Sequence, residues 1–262
     1  MKKLFPLLIL LLVILIGCMS DRKERPGFFD SLGPVYWEGE IDIAEDHIVP
    51  MDALIIEKNT RVNFLNDVIL FVYGDLIIKG TQSEPVIFHG AGKVILVSGS
   101  TNSSMAWCSM KESVFATSSD IDVGFSSIKQ FELWESASLR MTNCRIGHLV
   151  CNNDSVADVS RSYFDRAGFY SDMLTKVITV NDHSVTWITN NWFAGNSSLG
   201  NKMTNHTILH YSSGNGHYER NWWATNDSTY VTNRLLFSTI SLYVAFQPIA
   251  VFQPSYSLPF FP

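Results

Sequence analysis

The chain has 262 residues, 46% of them hydrophobic and 17% charged, with a formal net charge of −6. A surface of that sign has no electrostatic reason to seek phosphate backbones, so a nucleic-acid partner is excluded. The four cysteines form no C-x-x-C pair and the seven histidines are scattered, so neither a structural zinc site nor any other cofactor is expected.

At the start, Lys2 and Lys3 precede an apolar run from Phe5 to Gly17, closed by Cys18. A spanning helix needs about 20 apolar residues, so this run is short for one and has the dimensions of a secretory signal. The phrase "LIGC" resembles the lipobox of bacterial lipoproteins, which implies cleavage before Cys18 and lipidation of that cysteine. A plain signal peptide with a chance cysteine, or an uncleaved anchor, is the competing reading. Residues 1–17 are then a signal peptide, and loss of Lys2 and Lys3 takes the charge from −6 to −8. Two or more acyl chains make such anchoring stable. The partner is then a membrane outside the cytoplasm. Met19 in place of aspartate points to an outer membrane or cell surface. Residues 18–34 are polar, with Pro26, Gly27 and Gly33, and read as a tether between lipid and domain.

From Val35 the sequence breaks into short pieces: "EIDIA", "ALIIEKNTRVNF", "DVILFVYGDLIIKG", "PVIFHG" and "KVILVSG". Apolar residues fall at every second position and Gly, Asn, Asp or Pro punctuate them, which is the period of strands. The pieces recur. Ile56 and Ile78 lie 22 residues apart, and Ile128, Ile146 and Phe164 lie 18 apart. In that frame Ile121, Leu139 and Ala157 align, as do Val123, Met141 and Val159. Phe193 follows after 29 residues and Trp223 after 30 more, the longer intervals carrying inserted loops "DRAGFYSDMLTK" and "AGNSSLGNKMTN". A propeller blade needs about 40–50 residues and a leucine-rich repeat its own leucine pattern. Coils of 18 to 30 residues that stack on one another predict an all-β parallel β-helix of about ten coils over residues 35–234. The apolar, proline-rich segment 235–262 is expected to cap its last open edge.

The segment "HIVPMDALIIEKNTRVNFLNDVILFVYGDLIIKGTQSEPVIFHG" resembles the opening module of right-handed β-helix proteins of the pectate-lyase-like superfamily. Asn59 stands where that pattern has glycine, and Ile78-Lys79 where it has small residues. "NNWF" and "RNWWATNDSTYV" are similar to its coil-closing phrases, with Ala224 in place of glycine, and "FQPIAVFQP" to its exit strand. The resemblance implies a right-handed coil over about residues 35–255. It does not fix an activity, because the superfamily holds lyases, hydrolases, epimerases, adhesins and inert scaffolds.

Candidate chemistry is sparse. Asp122, Arg140 and Asp158 fall at one stack position on three coils, either as a solvated ion-pair ladder or as a basic residue flanked by acids. The second option suits a lyase poorly, since neighbouring acids keep an arginine charged. Asp154, Asp165, Asp172 and Asp182 do not repeat in register, as a pair of hydrolase acids on neighbouring coils would. No catalytic residue is therefore assigned. Cys151 aligns with Leu133 and Phe169 as a core filler. Cys108 and Cys144, two coils apart, are too distant for a disulfide, whereas a Cys144–Cys151 bridge within one coil stays open. His206 and His210 are the one histidine pair close enough to weigh as a metal site, and no metal is assigned to them.

Tyr163, Trp192 and Trp222 share one outward position, while Phe164, Phe193 and Trp223 share the inward one. Three outward aromatics on successive coils would form a flat strip suited to sugar rings. Alternatively, the inserted loops or the tail cover them. The sequence thus predicts a non-catalytic, lipid-anchored envelope protein that binds a glycan or an envelope protein or acts as a scaffold. The alternative is a polysaccharide lyase or glycoside hydrolase.

Overall fold

The computed structural model describes residues 33–50, 52–97, 99–165, 177–193, 208–211, 213–221, 235–237 and 244–248. Cys18, Phe169, Asp172, His206, Trp222, Trp223, nearly all of both inserted loops and most of the segment 235–262 lie outside the described residues. Among the described residues every regular element is a strand. Each strand pairs in parallel with one a full coil away, so the fold is a parallel β-helix.

One wall carries ten strands in chain order, from Val35–Trp37 to Val244–Pro248. We call it the first wall and its strands rungs one to ten. The other two walls belong to one bent sheet. Cys108–Thr117 shows how they join: its beginning pairs with Val86–Gly90 and its end with Lys93–Leu96. The register shift between Met110 and Ser113 marks the bend. About six turns are complete among the described residues, from Val35 to Cys151, fewer than the ten coils expected. Beyond Cys151 each coil passes through residues that are not described, although the first wall still counts ten strands.

The register expected from the repeat is present. Ile128 pairs with Ile146, Ile146 with Phe164 and Phe164 with Phe193. Ile121–Leu139–Ala157 and Val123–Met141–Val159 form two further files on the first wall. All of these side chains are buried. Adjacent strands lie about 4.8 Å apart, so like apolar residues stack and exclude water between them. Each fully buried aliphatic is worth about 1.5–3 kcal/mol against exposure. The Phe164 and Phe193 rings stack at 4.7 Å with planes 5° apart. Cys151 pairs with Leu133 as expected, but its partner on the next coil is Val180, because the inserted loop displaces the simple 18-residue count.

The corner between the first and second walls is a ladder of its own. Trp107, Phe125, Asn143, Arg161, Asn190 and Arg220 each hold a left-handed φ of 50–58°. That kink turns the next residue inward, giving the buried series Cys108, Ser126, Cys144, Ser162, Asn191, Asn221. These small polar side chains satisfy the corner's backbone. Ser126 Oγ accepts from the Cys108 amide at 3.1 Å, and Ser162 Oγ from the Cys144 amide at 3.1 Å. Asn191 and Asn221 each accept an amide hydrogen from the coil below, from Ser162 and Asn191, and donate to a carbonyl of that same coil, Val159 and Ile188 respectively. Asn59, where the related pattern has glycine, holds a φ of 60°, a region asparagine tolerates better than most side chains.

Candidate functional site

The outward aromatic file of the second wall is in register but is not flat. Tyr163 pairs with Trp192, yet their rings meet edge-to-face, 5.2 Å apart with planes at 84°. Both rings are only partly exposed. Below them Arg145 continues the file and grips Asp165, whose Oδ2 accepts from Nη2 at 2.6 Å and from Nε at 3.2 Å. Burial, reinforced by the Asp165 carboxylate, pushes the Tyr163 phenol above its usual value. A perpendicular pair offers a sugar an edge rather than a shared face. Trp222, the third member, lies outside the described residues.

A second set of outward aromatics is on the first wall. Its central outward file runs Ser104, Asp122, Arg140, Asp158, Trp187, His217 over rungs four to nine. The expected charge ladder is therefore present, with Arg140 Nη1 3.5 Å from Asp122 Oδ1 and both side chains well exposed. Exposed pairs of this kind contribute about 0–1 kcal/mol. The file does not stop there. Trp187 and His217 continue it with rings stacked face to face, 5.9 Å apart and 4° from parallel, and Trp187 is 40% exposed. The sequence did carry this signal: stepping from Asp158 by the same 29 and 30 residues that locate Phe193 and Trp223 lands on Trp187 and His217.

A groove of about 410 Å³ opens on the same wall, lined by Ser104, Asp120, Asp122, Ser138 and Arg140 and by the turn at Thr101 and Asn102. Asp75 Oδ1 fixes that turn by accepting from the amides of both Thr101 and Asn102. The exit corner of rungs four and five carries a second stacked pair, Trp107 and Phe125, with rings 4.7 Å apart and planes 5° apart. Both are bulky residues in the left-handed region, at φ of 51° and 52°. They share this backbone with Asn143, Arg161, Asn190 and Arg220 farther along the same corner. Phe125 is 39% exposed. The first wall thus carries a polar groove over rungs four to six, with one aromatic stack at the exit corner of rungs four and five and another on rungs eight and nine. Rung spacing sets their separation at roughly 20 Å.

The other candidates have quieter places. Cys108, Cys144 and Cys151 are free and buried. Burial pushes each thiol up to about 12. The open question of a Cys144–Cys151 bridge is answered by their free state, the two standing at opposite ends of the strand Arg145–Cys151. Asp182 Oδ2 accepts from the Asn153 amide at 3.2 Å, and Asp154 lies 3.7 Å from His183 Nδ1. No group of three metal-ligating side chains converges among the described residues. Comparison of the chain with family models, with curated proteins and with solved structures finds no match.

Proposed function

We propose that this is a lipid-anchored cell-envelope protein whose solenoid holds a glycan along its first wall without cleaving it. The polar groove at rungs four to six, together with the Trp107–Phe125 and Trp187–His217 stacks on the same wall, carries the reading. Pyranose rings present apolar faces to aromatic planes and hydroxyls to polar side chains, and this wall supplies both in one line. The Tyr163–Trp192–Trp222 file is a second contact surface, better suited to a protein partner because edge-to-face rings fill a shaped interface. Residues 1–17 would direct export, and Cys18 would carry the lipid. Binding of a glycan array to the mature domain tests the reading, with Trp187→Ala expected to reduce retention and Trp192→Ala to leave it unchanged. For the anchor, Cys18→Ser should release the protein from the membrane fraction.

The alternative is a polysaccharide lyase or hydrolase, suggested by the resemblance to the pectate-lyase-like superfamily. Against it, Asp122 is engaged by Arg140, which stands between it and Asp158 in the same file. Arg140 between them cannot act as a base, because a guanidinium keeps its proton in proteins. A reducing-end and unsaturated-product assay on the same domain separates the two readings.

A further inference from the structure

We infer that the glycan held by the first wall is cationic, an oligosaccharide of amino sugars with free amines, laid along the solenoid axis. The inference rests on the glycan-binding reading and adds the ligand's charge. Over rungs five to nine the outward side chains of the wall carry Asp120, Asp122, Asp158 and Glu219 against Arg140 alone. Arg140 is already paired to Asp122. The remaining outward positions there are mostly hydroxyls, among them Ser104, Ser138, Thr142, Ser160 and Thr189. The edges shift the balance little. The entry edge adds Glu135, Asp154 and Asp182, with His183 beside Asp154, and the exit edge adds Arg161 and Arg220.

A polymer of uronic acids would bring a carboxylate to each rung and meet this field with like charge. An amino sugar brings an ammonium instead, and ammonium groups are attracted both by carboxylates and by aromatic faces. The geometry suits a repeating ligand. Asp122 and Asp158 project from one file two rungs apart, with Trp187 on the next rung. The rung spacing of about 4.8 Å is close to the advance of one sugar in an extended chain. An axial glycan can therefore place alternate amines over Asp122 and Asp158 and its terminal ring on Trp187.

Calorimetry with the full chain tests this, using a glucosamine tetramer, its N-acetylated counterpart and a galacturonate tetramer, at a pH where the amines are protonated. The glucosamine tetramer should bind about three- to tenfold more tightly than the N-acetylated one, as two exposed charge contacts of ordinary strength allow. Its affinity should fall as salt rises to about 0.5 M, where exposed charges are screened. The double variant Asp122→Asn and Asp158→Asn should bring the amine and the N-acetylated forms level. Thermal unfolding shows whether that variant is folded, and the comparison of three ligands on the unaltered chain needs no variant. Equal or tighter binding of the neutral or acidic tetramer, weakened by Trp187→Ala, would overturn the charge assignment and leave the glycan reading standing. Absence of binding to all three, and to a general glycan array, would sink both.

Discussion

Asn191 is the place where the corner ladder can be broken most cleanly. Its side chain is buried and fully used: Oδ1 accepts from the Ser162 amide at 2.8 Å and Nδ2 donates to the Val159 carbonyl at 2.8 Å. Asn191→Ala removes both partners and leaves a donor and an acceptor buried. Each orphaned group costs about 1–3 kcal/mol, so the expected loss is about 3 kcal/mol. With a urea slope of about 2–3 kcal/mol/M for a chain of this size, the midpoint should fall by about 1 M. Asn190→Gly is the matched control. That residue is exposed and holds a φ of 58°, so glycine there should change stability by less than about 1 kcal/mol. Hydrogen exchange should locate the damage at the Ser162 amide, one coil below the substitution. A midpoint for Asn191→Ala within the control's range, or unchanged protection at Ser162, would show that water replaces the ladder and that the asparagine does not hold the coils in register.

Two further predictions concern buried groups. The thiols of Cys108, Cys144 and Cys151 are raised from 9.0 to about 12 by burial, so the folded chain keeps them protonated where the unfolded chain does not. Stability should thus be constant below about pH 9 and fall as pH rises towards about 12, by up to about 1.4 kcal/mol per pH unit for each thiol. The same thiols should resist alkylation until the protein unfolds, and rapid labelling of the folded chain would contradict their placement. Tyr218 is wholly buried, and its hydroxyl lies 2.9 Å from Thr186 Oγ1. Tyr218→Phe should cost about 1–2 kcal/mol in denaturant unfolding, because it strands the threonine hydroxyl.

The parts of this molecule that were legible in the sequence are those fixed by the backbone period. A strand alternates its side chains and a coil repeats them, so the 18-residue spacing of Ile128, Ile146 and Phe164 carries both register and facing. Asp122, Arg140 and Asp158 were placed by the same logic. Ring orientation is a different quantity. Tyr163 and Trp192 share a file, but the angle between them is set by the packing around Arg145 and Asp165, which no spacing encodes. The left-handed backbone at Trp107 and Phe125 was equally hidden, because aromatic residues have no preference for that region and only the corner geometry imposes it. Trp187 was within reach, since it follows Asp158 in the frame already drawn, but its file turns from charge to aromatic at that step.

The central claim is that the first wall, and not the second, receives the ligand. Calorimetric titration of the glucosamine tetramer into the unaltered chain and into Trp187→Ala and Trp192→Ala tests it most directly. Stacking of one ring on an exposed tryptophan is worth about 0.5–1.5 kcal/mol beyond its buried area. Trp187→Ala should therefore weaken binding by about three- to tenfold while Trp192→Ala leaves it within a factor of two. Loss of binding in Trp192→Ala with Trp187→Ala unaffected would place the ligand on the second wall and contradict the account.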